Sequence, residues 1–165
     1  SNMAWSYAKL QQNNVPLMTA LAASAVPLLK EFGGQDISNM LWAFAQLAVD
    51  ASPFLAAING LRLDGSDVTD ARRWAPQALS NTAWALAVLQ YSQSLDGLAT
   101  ASALRISEFR AQELSSLAWS FASLRWIHEG LLEAMQSASL TALEKKQLDC
   151  QGICNIAWAF ATFSK

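Results

Sequence analysis

One stretch decides how this chain folds: SNMLWAFAQL at residues 38–47, which recurs with few changes along the sequence. The other copies read SNMAWSYAKL at 1–10, SNTAWALAVL at 80–89, SSLAWSFASL at 115–124 and CNIAWAFATF at 154–163. The tryptophans at their centres are separated by 37, 42, 35 and 39 residues, a mean of about 38. Self-similarity at such a period indicates a helical-repeat protein.

The repeat extends beyond the tryptophan segment in both directions. Each copy after the first has a glutamine seven residues before its tryptophan and a large apolar residue three places before that glutamine. The glutamines are Gln35, Gln77, Gln112 and Gln151, and the apolar residues are Phe32, Trp74, Phe109 and Leu148. A second apolar stretch follows the tryptophan segment, as at residues 16–32 and 130–148, so each repeat is predicted to be a helical hairpin.

The pattern therefore predicts an all-α fold, an α-solenoid of helical-hairpin repeats of about 38 residues. We expect five tryptophan-centred helices, called A helices, and four intervening B helices, giving roughly nine helices in a right-handed superhelix. The approximate units of this single array are 1–34, 35–76, 77–111, 112–150 and a partial unit 151–165. Neither end carries the polar cap that isolated solenoids need, so we expect a segment of a longer solenoid.

Composition narrows the classes of function. The chain is 53% hydrophobic and 15% charged, which argues against disorder. Its formal net charge is −2, which differs from the basic footprint of a dedicated nucleic-acid binder. No apolar run reaches the roughly 18–20 residues needed to span a bilayer, so we expect no membrane partner. Cys150 and Cys154 are the only cysteines and favour a reducing compartment.

The residues of an active site are not visible in the sequence. The single histidine, His128, is expected to lie at a helix start or in a loop. Gly33 and Gly34 are interpreted as a helix end, and Gly65 as part of an insertion at residues 64–73, so neither forms a phosphate-binding loop. We therefore predict no enzyme: no catalytic residue, no metal site, no cofactor and no small-molecule substrate.

The A helix has two different sides. At 100° per residue, the positions five and two before the tryptophan and two and five after it form a core stripe, as in Ile37, Met40, Phe44 and Leu47. The other side carries the tryptophan, the glutamine, a serine four places before the tryptophan and an asparagine three places before it. We favour packing of the tryptophan on the next A helix. The asparagine either bridges repeats or binds a ligand.

The residue four places after the tryptophan changes from copy to copy while its surroundings stay constant. Such variation is expected where each repeat meets a different part of a ligand, or at an unconstrained solvated position. Amide side chains on this side can hydrogen-bond base edges or a peptide backbone, and a basic side chain beside an aromatic one can hold a phosphate while a base stacks. The candidate RNA-binding residues are Lys9, Gln35, Asn39, Gln46, Gln77, Asn81, Gln112, Ser116, Ser123, Arg125, Gln151, Asn155 and Thr162.

These residues and this period resemble the octotricopeptide repeat family, which is related to the tryptophan-rich repeats of organellar RAP-domain proteins. Residues 17–47, LMTALAASAVPLLKEFGGQDISNMLWAFAQL, are close to a whole repeat of that family. The resemblance implies an α-solenoid that binds RNA in mitochondria or chloroplasts, acting in transcript stability, processing, translation or ribosome assembly. The insertion in the third repeat and Ser116 in place of asparagine depart from the pattern. The acidic balance keeps a second possibility open: a protein scaffold or architectural subunit of a large organellar assembly such as a mitochondrial ribosome.

Overall fold

The computed structural model describes residues 1–60, 70–93 and 95–164. Within these ranges it contains nine α-helices and no strand, so the all-α prediction is confirmed. The helices are α1 (Asn2–Lys9), α2 (Val15–Ala25), α3 (Gly34–Leu47), α4 (Ser52–Gly60), α5 (Pro76–Val88), α6 (Leu95–Leu104), α7 (Ala111–Ser123), α8 (Glu129–Glu144) and α9 (Cys150–Phe163). Short 3₁₀ helices lie at Val26–Glu31, Ala71–Arg73 and Ile106–Glu108. Most of the predicted insertion, including Gly65, lies outside the described residues.

The odd-numbered helices are the five predicted A helices, and they pack on one another in chain order. α1 contacts α3, α3 contacts α5, α5 contacts α7, and α7 contacts α9. The even-numbered B helices contact one another less closely, as α2 does with α4 and α6 with α8. Alanines such as Ala83 and Ala118, both fully buried, let neighbouring A helices approach closely. The described residues thus form a repeat-like stack whose A layer is the more tightly packed. Within the same ranges, no helix combines the length and the apolar character that a membrane span requires.

The core stripe lies where the helical period places it. Ile37, Met40, Phe44 and Leu47 are at most 7% exposed, and the rings of Phe44 and Phe54 meet edge to face at 5.7 Å between centroids. Burying a side chain of this size contributes about 1.5–3 kcal/mol. Apolar contact between α3 and α4 therefore helps to close this hairpin.

The serines four places before the tryptophans are buried. Ser38, Ser80 and Ser115 are each at most 4% exposed, on the same side of the helix as the tryptophan. The hydroxyls of Ser38 and Ser115 each donate a hydrogen bond of 3.0 Å to a backbone carbonyl of their own helix, Gln35 O and Gln112 O. The next A helix covers this side, and the serines are small enough to fit between the two helices.

Every A helix that is followed by a B helix ends in the same backbone turn. The residue six places after the tryptophan has a left-handed conformation, with φ of 50–54° at Gln11, Ala48, Gln90 and Arg125. In α3 the Ala48 N–H donates to Ala45 O and the Val49 N–H donates to Phe44 O, which is the Schellman pattern of helix termination. Since none of the four residues is glycine, each turn carries a cost of about 1–2 kcal/mol.

Side chains and small residues define the helix starts. His128 lies directly before α8 and its Nδ1 accepts a hydrogen bond from the Leu131 N–H at 3.2 Å, which agrees with the predicted helix-start role. The prediction that Gly33 and Gly34 end a helix was wrong, because these two residues lie at the start of α3. Gly34 is the first residue of α3, and the indole ring of Trp74, carried by the next repeat, lies against its Cα.

Candidate functional site

The five A-helix tryptophans form a row along one side of the stack. Ring centroids are 6.5 Å apart for Trp5 and Trp42, 6.4 Å for Trp42 and Trp84, and 6.5 Å for Trp119 and Trp158, with planes tilted by 31–37°. The predicted packing of each tryptophan on the next A helix is confirmed at these three junctions. The rings also reach solvent: Trp5 is 40% exposed, Trp158 is 47% exposed and the other three are partly exposed. We call these five residues the tryptophan row.

The variable residues four places after the tryptophans lie beside this row. The ammonium nitrogen of Lys9 is 5.4 Å from the ring centroids of both Trp5 and Trp42, which is cation–π geometry. Gln46 is exposed to solvent. Thr162 is partly exposed, but its hydroxyl donates to Trp158 O at 2.8 Å and so serves its own helix. A positive charge and an exposed amide thus border the aromatic surface in the first two repeats.

Glutamine and asparagine lie one turn apart at the start of both α3 and α5. Gln35 is exposed, Asn39 is partly buried, and the Gln35 amide nitrogen donates to Asn39 Oδ1 at 2.8 Å. This bond fixes the orientation of the Asn39 amide and leaves its NH₂ group for other acceptors. Gln77 and Asn81 repeat the same exposure on α5.

Four candidate residues converge on one groove between α7 and α9, which we call the polar groove. It has a volume of about 270 Å³. The candidates Gln112, Ser116, Gln151 and Asn155 line it, together with Ser115, Asp149, Gly152, Trp84 and Trp119. Although both tryptophans border the groove, the described residues show no ring contact between Trp84 and Trp119, so the row is interrupted here. The sequence pattern predicted the four polar residues but not the two aromatic walls.

A second groove, the terminal groove, brings together three further candidates. Ser123, Arg125 and Thr162 line it with Trp158 and Ile127, in a volume of about 540 Å³. The left-handed backbone of Arg125 places this side chain at the turn after α7, beside the aromatic surface. The remaining candidates, Lys9, Gln35, Asn39, Gln46, Gln77 and Asn81, lie on α1, α3 and α5 and line neither groove.

Charged groups around the site are few, and some of them hold the repeat junctions. Arg105 pairs with Glu108 through two hydrogen bonds of 2.9 and 2.5 Å and also donates to Trp74 O, which links the segment after α6 to the segment before α5. The hydrogen bond from Arg105 lowers the pKa of the Glu108 carboxyl. Asp149 is the notable acid of the site: it lines the polar groove and accepts the Gly152 N–H at 2.7 Å, which caps α9. Its negative carboxylate accepts hydrogen bonds and repels a phosphate, so it favours a ligand whose edge carries hydrogen-bond donors.

No metal site is evident in the described part of the chain, where no group of three or more His, Cys, Asp and Glu side chains could hold an ion. Comparison with known proteins adds no assignment: no protein-family model matches the chain, and no curated protein matches it. The resemblance to octotricopeptide repeats therefore stays a prediction that rests on the recurring residues themselves.

Proposed function

We propose that this chain binds single-stranded RNA along the tryptophan row, as an α-solenoid of helical-hairpin repeats of about 38 residues in a right-handed superhelix. The polar groove carries the proposal, because it collects Gln112, Ser116, Gln151 and Asn155 between two tryptophan rings. The resemblance to octotricopeptide repeats supports it and suggests a place in mitochondrial or chloroplast gene expression. The function is one of binding, without catalysis, cofactor or small-molecule substrate.

The chemistry of the groove suits a nucleobase better than a phosphate. Amide groups both donate and accept, so Gln112 and Asn155 match the alternating donors and acceptors of a base edge. A partly exposed indole offers a stacking surface, which is worth about 1–3 kcal/mol per base. A volume of about 270 Å³ lies just below the size of typical small-molecule pockets, which leaves room for a single base.

Charge plays a minor part in this mode of binding. The net charge is −2, and the cationic candidates are Lys9 and Arg125. For single strands, a tenfold rise in salt concentration lowers the logarithm of the binding constant by about 0.7 for each phosphate that the protein neutralises. With one or two such phosphates, we expect a plot of log binding constant against log salt concentration to have a slope between about −0.7 and −1.4. A steep salt dependence would show that the backbone, rather than the bases, is the ligand.

The test is a titration of fluorescein-labelled single-stranded RNA pools at low salt, followed by fluorescence anisotropy. The double variant Gln112→Ala with Asn155→Ala should weaken binding by about tenfold or more, since two hydrogen bonds contribute about 1 kcal/mol each. Gln147→Ala removes an exposed amide from the turn after α8 that lines neither groove, and should leave binding unchanged. Lack of binding by the parent chain at low salt would overturn the proposal.

A second candidate function, a protein scaffold within a large organellar assembly, has its own supporting observation. α8 and α9 enclose an apolar groove of about 450 Å³, lined by Leu132, Leu140, Leu143, Ile156, Phe160 and Phe163. Leu140 is 56% exposed, and such contiguous apolar surface is typical of protein interaction sites. Purification from organelles with and without RNase separates the two functions. Partners that are lost on RNase treatment support RNA binding, and partners that remain support the scaffold.

A further inference from the structure

A groove runs along α8 on the side that faces the preceding repeat. Its walls are the 3₁₀ helix Ile106–Glu108, the start of α7 and one side of α8, and its volume is about 880 Å³. The opposite side of α8, with Leu140 and Leu143, faces α9. The groove is therefore enclosed by elements inside the array, and its exposure does not depend on where the chain begins or ends. We call it the basic groove.

The equivalent junction one repeat earlier is closed. There Leu98 of α6 and the buried ring of Trp74 line a cavity of only about 40 Å³. Arg105, directly after α6, reaches across the junction and donates a hydrogen bond to Trp74 O. Two large apolar side chains and one arginine thus hold the B helix against the segment that precedes the A helix.

The basic groove is open because smaller side chains stand at the equivalent positions. Counted from the first buried leucine of each B helix, Ala134 takes the place of Leu98. By the same count Thr141 takes the place of Arg105, and its hydroxyl donates to a carbonyl of its own helix at 3.1 Å. Phe109 also stands where the earlier junction has a tryptophan. These three smaller residues leave space that a ligand can enter.

The charge that borders the groove is positive. Arg110, directly before α7, and Lys145, directly after α8, both line it and are exposed. Neither has an ion-pair partner among the described residues, and none of the acids among them lines the groove. The nearby carboxylate of Glu113 caps α7 by accepting the Arg110 N–H at 2.8 Å. Because the two helices of a hairpin run antiparallel, both cations lie at the end of the groove where α7 begins and α8 ends.

The groove has an apolar floor and a polar rim. The floor is buried or partly buried, as at Phe109, Leu114 and Ala142. The rim carries exposed hydrogen-bonding side chains, as at Ser107 and Gln112. An extended peptide suits this arrangement, because its side chains alternate between two faces while its backbone presents donors and acceptors along both edges. A nucleic-acid backbone suits it less, since it requires many cations and gains nothing from an apolar floor.

We propose that the basic groove binds an extended acidic peptide segment of a partner protein. The carboxylates of the segment pair with Arg110 and Lys145, and its apolar side chains lie on the alanines of α8. The chain rises by about 16 Å from Ala134 to Lys145, a length that about five extended residues span. The groove shares only Gln112 with the polar groove, and its function is independent of RNA binding.

Fluorescence anisotropy with labelled hexapeptides tests the site. Two fluorescein-labelled pools carry a pair of aspartates at the amino or the carboxyl end, with alanine, leucine or phenylalanine elsewhere, and so cover both directions of binding. With the whole chain in about 0.1 M salt, which screens distant charges, at least one pool should bind with a dissociation constant below about 200 µM. Asparagine in place of both aspartates should weaken binding by at least about tenfold, because the charge-assisted hydrogen bonds are lost.

Three variants locate the site. Lys145→Glu should weaken binding of the acidic pool by at least about tenfold. Lys146→Glu is the matched control: it makes the same charge change at an exposed neighbour that does not line the groove, and should change binding by less than about threefold. Thr141→Arg restores the arginine of the earlier junction, which should occupy the groove and weaken binding by at least about tenfold although it adds a positive charge. Circular dichroism establishes that each variant is folded.

Three results would overturn the proposal. The first is the absence of saturable binding of either acidic pool to the parent chain. The second is equal weakening by Lys145→Glu and Lys146→Glu, or tighter binding by Thr141→Arg, since either would indicate general attraction between charges. The third is weakening of RNA binding in Lys145→Glu by the same factor as peptide binding, which would assign the groove to RNA. Asn155→Ala changes the polar groove alone and should leave peptide binding intact, so a failure of this proposal is distinguishable from a failure of RNA binding.

Discussion

Replacing Gly34 with alanine should destabilise the protein even though alanine is the better helix former. A Cβ built at Gly34 lies 2.6 Å from both Cδ1 and Cδ2 of Trp74 and closer still to Cγ. Trp74 is buried at 7% exposure, so its ring has little room to move aside. Overpacking of this kind costs about 1–3 kcal/mol, while the gain in helix propensity is at most about 1 kcal/mol. The expected net change is a loss of about 1–2 kcal/mol.

A double-mutant cycle isolates the contact. Trp74→Leu alone should cost about 2–3 kcal/mol through lost packing. In that background the smaller side chain leaves space for the new methyl group, and Gly34→Ala should become neutral or stabilising by up to about 1 kcal/mol. The two substitutions should therefore be coupled by about 2 kcal/mol, which exceeds the error of urea unfolding followed by circular dichroism.

Gly33→Ala is the matched control for the cycle. Its added Cβ would have Asp36 Oδ2 as nearest neighbour, at an ordinary 3.8 Å, and the backbone there is extended. We expect a change within about 0.5 kcal/mol. If Gly34→Ala is as stable as the parent chain, or changes stability equally with Trp74 and with Leu at position 74, then the indole does not limit how closely the segment before α5 approaches α3.

Further outcomes concern a turn, a core hydroxyl and an ion pair. Ala48→Gly should raise the free energy of unfolding by about 0.5–1 kcal/mol because φ is positive at this residue. Ala23→Gly, on the exposed side of α2, should lower it by a similar amount. Urea unfolding measures both changes, and a loss of stability in both variants would show that the backbone at Ala48 is not strained. Thr82→Val should stabilise by about 1 kcal/mol, since Thr82 Oγ1 is buried without a hydrogen-bond partner among the described residues, and a lower melting temperature would count against this. Glu108→Gln should lower the melting temperature slightly at pH 7. Because Arg105 holds the pKa of Glu108 below its ordinary value of 4.5, the stabilisation is present above that pH and disappears as the pH falls through the lower folded-state value. A difference between variant and parent that persists in strong acid would exclude the ion pair as its cause.

Periodicity predicted the helices and their core because both depend on local, repeated information. The spacing of the tryptophans gave the five A helices, and the stripe through Ile37 and Phe44 follows from the helical period alone. The burial of Ser38 did not follow, because it depends on the neighbouring A helix rather than on the helix that carries it. An A helix in this stack is covered on three sides, and a single-helix projection assigns only one side to the core.

The candidate site could be predicted in part for the same reason. Recurrence singled out Gln112 and Asn155, and the structure places both in one groove. It did not distinguish this junction from the others, since the gap between Trp84 and Trp119 depends on how two helices are set against each other. The left-handed turn that follows the A helices could not be predicted from the sequence, because positions such as Ala48 and Arg125 do not carry the glycine that usually indicates such a turn.

The tryptophan row gives the protein an intrinsic optical reporter. Indole rings 6.4–6.5 Å apart couple their electronic transitions, and this coupling falls with the cube of the distance. The near-ultraviolet circular dichroism of the folded chain should therefore contain exciton contributions from the junctions where rings touch, and its emission should be depolarised by transfer between them. Opening any one of these junctions removes its own share of the signal while backbone helicity is retained. Local loosening of the stack can thus be measured, without a label, separately from the melting of its helices.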